Sequence, residues 1–184
     1  MDSLAVIREF MVNSQVNYLL VNSTNEFLVE YNTLEENSRY KITNFSGSTG
    51  EALVTPQTVY LFVDGRYHIQ ADQEVDHRKV TVVKLKTGQK FIDELINKIP
   101  QNETLGIFSK KISQKKLEEI SNCRQIKLFD NDPLDTKNEI NLSENISLDR
   151  NLTGLTTEEK IAKISNNLSE NEALYLTDLD EVSY

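Results

Sequence analysis

The sequence predicts an α/β protein: a mixed, mostly parallel sheet with helices on both faces. Three observations lead there. Short apolar runs rich in β-branched and aromatic residues alternate with segments of helical periodicity up to about residue 130. One pair of runs, Ala52–Thr55 and Val59–Val63, is joined by a short turn containing Pro56-Gln57, which makes a hairpin and so one antiparallel step. The chain has 184 residues, 38% hydrophobic and 27% charged, enough for one domain of good size and something more.

The elements follow in order. Leu4, Ile7 and Met11 stand at helical intervals, with Ser3 as N-cap and Glu9 on the polar side, so residues 3–13 are a helix. Tyr18–Val21 is a buried strand, and residues 30–44 read as loop with one helical turn. After the hairpin, Tyr67, Ile69, Ala71 and Val75 mark a helix, and residues 80–85 a strand. Phe91, Leu95 and Ile99 give a helix closed by Pro100; residues 104–108 are a strand, 112–120 a helix with a basic face, and 125–129 a strand. Residues 130–154 lack a period and are rich in Asp and Asn, as a connector would be. Residues 155–160 open a helix with a cap and first-turn acids. Ile161, Ile164 and Leu168 continue its apolar face, and residues 173–177 read as a strand. One helix and one strand cannot bury a core. The expected organisation is therefore a domain over 1–130, a linker over 131–154, and the incomplete start of a second, similar domain over 155–184.

A net charge of −9 argues against nucleic acid and against anionic membrane surfaces. The first fifteen residues have an acid at position 2 and no basic region before an apolar block, so they do not read as a signal peptide. No apolar run approaches the ~20 residues that span a bilayer. The single cysteine, Cys123, has no internal disulfide partner and no catalytic context. These features place the chain in the cytoplasm, and triplets such as Asn22-Ser23-Thr24 and Asn151-Leu152-Thr153 then read as accidents of composition.

Chemistry concentrates in two turns. Gly47, Gly50 and Gly65 are three of only six glycines, and they bracket the hairpin. Phe45-Ser46-Gly47-Ser48-Thr49-Gly50 reads as a tight turn needing positive φ and close backbone approach. A phosphate cradle would want a following Gly-Lys-Ser/Thr, and a nucleophile elbow would want Gly-x-Ser-x-Gly; neither is present. Asp64-Gly65-Arg66-Tyr67 ends a strand and begins a helix. One reading is an Asp N-cap, a turn glycine and an arginine directed to solvent. The other is Arg66 fixed on a rigid strand end and aimed at a carboxylate or carbonyl, which a planar guanidinium can grip through two donors. His68 and His77 near Asp72 and Asp76 lack ligand spacing, and Lys110-Lys111 with Lys115-Lys116 read as solvated surface.

The two turns, in this order and spacing, resemble the N-terminal domain of the creatinase/prolidase/aminopeptidase P family. The residues that carry the resemblance are Phe45, Gly47, Ser48, Gly50, Asp64, Gly65, Arg66, Tyr67, Gln70 and Ala71, with Tyr18–Val21 and Glu30-Tyr31 before them. The later part is similar to the three-domain Xaa-Pro aminopeptidases, where a helix and a strand ending in a Leu-Asp-Glu run open the second domain; here that run is Leu179-Asp180-Glu181. The chain departs from that pattern in its connector, which reads Asn131-Asp132-Pro133-Leu134-Asp135 without the tryptophan and Arg-Pro of the family.

The resemblance implies a ribonuclease H-like fold in a cytosolic enzyme that releases the N-terminal residue from Xaa-Pro peptides. It implies that catalysis lies in a separate C-terminal domain, where Asp, His and Glu hold two divalent metals, often manganese, and a bridging hydroxide attacks the scissile carbonyl. The N-terminal domain is then non-catalytic, holds no metal itself, shapes substrate access and contributes to a homodimer. Its partners are its own catalytic domain and a proline-containing peptide, which Arg66 reaches. Two alternatives remain: a stand-alone interaction module, and the N-terminal domain of a prolidase or creatinase relative.

Overall fold

Strands β1 (Tyr18–Val21), β2 (Glu51–Val54), β3 (Val59–Val63), β4 (Val80–Lys84), β5 (Thr104–Phe108) and β6 (Gln125–Phe129) form one sheet in the order β4-β3-β2-β1-β5-β6. Only β2 runs against the rest: β1 pairs antiparallel with β2 and parallel with β5, and β3 pairs antiparallel with β2 and parallel with β4. The mixed, mostly parallel sheet of the sequence reading is therefore the sheet observed. The computed structural model describes residues 2–135 and 148–176, and the chain divides into two units, Met1–Lys137 and Asn138–Tyr184.

Strand side chains alternate between faces, so each strand feeds two cores. Leu19, Val21, Ala52 and Leu61 point to one face, covered by α1 (Ser3–Asn13), α2 (Ser38–Thr43) and α3 (His68–Glu74) through Leu4, Ile7, Met11, Ile42 and Ala71. Leu20, Leu53, Phe62, Leu105 and Ile107 point to the other, covered by α4 (Phe91–Asn97) and α5 (Gln114–Ser121) through Leu95 and Ile120. Removing a large side chain from either core costs about 2–5 kcal/mol.

Local chemistry sets the helix ends, with some changes from expectation. Asp2, not Ser3, caps α1: its carboxylate accepts the Leu4 N–H at 3.1 Å. The polar segment 30–44 contains α2, capped by Asn37 accepting the Tyr40 N–H at 2.9 Å and closed by Asn44 at φ 62°. α5 starts at Gln114 instead of Ile112, because a 3-10 turn over Ser109–Lys111 precedes it and Ser113 is the cap. Packing of the first unit continues past residue 130, with Asp132 and Leu134 both buried.

In the second unit, α6 (Arg150–Thr153) precedes α7 (Thr157–Ser165), which opens with the expected capping box between Thr156 and Glu159. Ile161, Ile164 and Leu168 are exposed. The strand expected over 173–177 is not formed at 173–176, and Thr177 lies outside the described residues. A strand needs a neighbour to take its backbone hydrogen bonds, and the described residues give this segment none. Leu179-Asp180-Glu181 also lies outside the described residues.

Candidate functional site

The two glycine turns are neighbours because of the hairpin. β2 and β3 pair in the register Glu51↔Phe62, so the turn entering β2 and the turn leaving β3 meet at one sheet edge. At that same edge the five parallel strands end, which is where α/β sheets generally place their ligands. An open cleft of about 410 Å³ lies there, lined by Leu28, Glu30, Thr49, Phe62, Asp64 and Phe91 among others. A second depression of about 530 Å³ flanks Asp64 and Gly65 on the side of His68 and Leu85. A third, of about 420 Å³, sits at the opposite end of the sheet between the end of α1 and Pro56, away from both motifs.

The three glycines do three different jobs. Only Gly50 has positive φ, at 123°, and a Cβ there would come 2.9 Å from the Phe62 carbonyl oxygen. Gly47 is required by space: a Cβ would lie 2.3 Å from Cζ of Phe45 and 2.9 Å from Cδ1 of Tyr67. Gly65 has neither constraint, since nothing lies within 4 Å of its Cβ position. The expectation of positive φ therefore holds at one glycine of the first turn, and close approach accounts for the other.

Phe45 to Thr49 of the first turn each have a partner. Phe45 is fully buried and meets Tyr67 edge to face with ring centroids 5.6 Å apart. Ser46 donates its N–H to Glu74 at 2.7 Å and its hydroxyl to the same carboxylate at 2.9 Å. Ser48 Oγ donates to Glu30 at 2.9 Å and lies 2.8 Å from the Tyr67 hydroxyl. Beneath them the Gly47 carbonyl accepts from Nη2 of Arg39, whose guanidinium stands 4.6 Å from the Phe45 ring centre. Burial lowers the Glu74 acidity most, but hydrogen bonds from Ser46 and Gln70 and the charge of Arg39 outweigh it, and its pKa lies below the usual carboxylate value.

The Arg66 side chain is 66% exposed and locked by its own turn. Asp64 does not cap α3, which starts at His68 with Tyr67 before it and no side-chain cap. The Asp64 carboxylate accepts instead from the Arg66 backbone N–H at 3.0 Å, from Nε at 3.0 Å and from Nη2 at 2.8 Å. The sequence Asp-Gly-Arg gives the carboxylate a charged partner two residues away, and that bidentate pair is stronger than a cap. The pairing holds the Asp64 carboxyl below its ordinary value and raises Arg66. Nη2 also reaches Thr49 Oγ1 at 3.3 Å, and the ring of Tyr67 lies 5.2 Å from the guanidinium carbon. One edge of the guanidinium is thus committed, and among the described residues Nη1 has no hydrogen bond.

Other sequence candidates are not assembled here. The imidazoles of His68 and His77 each meet a backbone carbonyl, of Leu85 at 3.2 Å and of Asp72 at 2.8 Å. Among the described residues no group of three or more His, Cys, Asp or Glu could hold a metal ion. Lys111 is not surface: it is 4% exposed and donates to Asp132 and Ser38 at 2.8 and 3.0 Å, and to Asp135. Arg39, Glu74 and the Lys111 cluster were not singled out from sequence; an Asn at 37, a favourable N-cap type, is the one local signal that could have found the helix that carries Arg39.

The molecule is thus an α/β domain whose parallel strand ends carry two braced turns and an arginine held along one edge by Asp64. The chain belongs to the creatinase/prolidase N-terminal domain family, whose model matches residues 4–134. A probable Xaa-Pro aminopeptidase P of Coprinopsis cinerea is 27% identical over 200 aligned positions, covering 98% of this chain and 31% of the relative. Xaa-Pro aminopeptidase ApepP of Drosophila melanogaster is 25% identical over 205 positions, covering 98% and 33%. The chain thus spans about a third of the length of these curated relatives. The fold is shared with an X-prolyl aminopeptidase of Caenorhabditis elegans, described as a cytosolic enzyme with a di-nuclear active site. That match has a TM-score of 0.65 and 20% identity, over 82% of this chain and 26% of that one. No described helix is long and apolar enough to cross a membrane.

Proposed function

We propose that this chain is the non-catalytic N-terminal domain of a cytosolic metallo-aminopeptidase that releases the first residue from Xaa-Pro peptides, and that Arg66 is its substrate-gripping residue. The observation that carries this is the Arg66 geometry. A guanidinium at the strand ends is fixed by Asp64, Thr49 and the Tyr67 ring through Nε, Nη2 and its face, and Nη1 makes no hydrogen bond among the described residues. Fixing it beforehand lowers the entropy lost on binding. Aminopeptidase relatives that align with nearly the whole chain supply the substrate class.

The charge balance narrows what Arg66 holds. Asp64 neutralises it, and Glu30 is close enough to act on it as well. A peptide carboxylate would meet those two acids, whereas a backbone carbonyl accepts from Nη1 without repulsion. Arg66 therefore takes a carbonyl of the peptide. The two divalent metals that the family resemblance implies, with manganese the expected ion, belong to a catalytic domain supplied by the rest of a longer protein; the described residues hold no set of ligands for them. The same reading makes this domain a wall of the substrate entrance and part of a homodimer.

The test is Arg66→Ala in the longer enzyme with a Xaa-Pro peptide. KM should rise roughly tenfold, about the worth of one charge-assisted hydrogen bond, with kcat little changed. Unaltered KM removes Arg66 from the site.

A further inference from the structure

Arg39 is the largest of the fully buried side chains, at 0% exposure, and its surroundings are unusual for a buried cation. Among the described residues no carboxylate makes a hydrogen bond or ion pair with it. Nη2 donates to the Gly47 carbonyl at 2.5 Å, the guanidinium stacks over Phe45, and Nε and Nη1 have no hydrogen-bond partner among the described residues. Burial pulls its pKa down to about 10, with Glu51, Tyr67 and Glu74 acting in the other direction. It stays charged at neutral pH. A buried charge without a counter-ion is costly, so an apolar residue would suit this position better if packing were its only task.

The contacts show what the guanidinium holds. It takes both ends of one short segment, the ring of Phe45 and the carbonyl of Gly47. Its own backbone carbonyl accepts from Thr43 Oγ1 at 2.8 Å, and that hydroxyl accepts the Phe45 N–H at 3.2 Å. The next two residues outward, Ser48 and Thr49, meet the Tyr67 hydroxyl and Nη2 of Arg66. Phe45 also meets the Tyr67 ring. A continuous line of contacts thus runs from the buried arginine to the exposed one.

We propose that Arg39 is a positioning residue for Arg66: it fixes the Phe45–Gly50 turn from beneath, and that turn holds Tyr67 and the Arg66 guanidinium in their observed places. The proposal rests on the reading of Arg66 as the peptide-gripping residue and deepens it. A lysine keeps a donor but cannot stack a planar group on Phe45 while bonding Gly47. A methionine keeps volume and loses both interactions.

Two measurements decide it. In the 184-residue chain, Arg39→Met should speed amide exchange at Ser46, Arg66 and Tyr67 about fivefold, the factor that loss of one hydrogen bond brings, and leave β1 and β5 amides unchanged. Equal acceleration across the sheet, or none at those three amides, overturns the proposal. If Arg39→Met does not fold, Arg39→Lys carries the same expectation with a smaller factor. In the longer enzyme, Arg39→Lys should raise KM for a Xaa-Pro peptide at constant kcat, and this effect should vanish in an Arg66→Ala background. Additive effects overturn the proposal. If Arg66→Ala alone is silent, the gripping role of Arg66 fails, and the exchange pattern still judges the link between the two arginines.

Discussion

Arg39 and Lys111 are the buried basic side chains of the first unit among the described residues, at 0% and 4% exposure. Lys111 is compensated. It donates to Asp132, Asp135 and Ser38, and its backbone carbonyl accepts from Asn22 at 2.9 Å and Thr24 at 3.0 Å. Arg39 has a carbonyl and an aromatic face and no carboxylate contact. The difference separates two uses of a buried charge. Lys111 ties distant segments to the turn after β5: the segment after β1, α2 and the segment after β6. Arg39 works locally, on a turn eight residues away, and spends its charge on the shape of that turn.

This contrast can be broken by stability measurements. Lys111→Met should have the largest effect, because it strands Asp132, whose side chain is 1% exposed. Breaking a buried pair from one side costs about 3–5 kcal/mol, read as a fall in the urea midpoint. Arg39→Met strands no charge and leaves only the Gly47 carbonyl without its donor, so about 1–3 kcal/mol is expected. Equal losses for the two variants would erase the distinction. A smaller effect concerns pH. The Glu74 pKa is depressed in the folded protein, so its contribution is complete above its ordinary value of about 4.5 and is lost as pH falls through the lowered folded value. Glu74→Gln should flatten that part of the stability–pH curve; an unchanged acid slope would show that Glu74 does not hold Ser46.

Most of the sheet was legible because periodicity is local. Leu4, Ile7 and Met11, or Val59 to Val63, declare their element within a few residues. The glycine turns were legible for the same reason, and Gly47 and Gly50 are fixed by neighbours close in sequence and by Phe62 across the hairpin. The Lys111 cluster was not, since Ser38 and Asp132 lie 73 and 21 residues away and nothing near Lys111 announces burial. Arg39 was hidden differently: its polar, aperiodic surroundings read as loop, although the Asn37 cap builds a helix there. Of the two readings left open at Asp64-Gly65-Arg66, the cap is the one that fails, because Arg66 two residues on takes the Asp64 carboxylate through Nε and Nη2. The strand expected at 173–177 shows the limit of an apolar run, which proposes a strand and cannot supply its neighbour.

Contact between Arg66 and substrate is tested most directly by a crystal structure of the longer enzyme with a bound Xaa-Pro peptide analogue. Nη1 of Arg66 is expected about 3 Å from a backbone carbonyl oxygen of the peptide, with Asp64 still paired to Nε. An Arg66 side chain turned away from the peptide, or one paired only with Asp64 while the peptide lies elsewhere, would contradict the role assigned to this edge of the sheet.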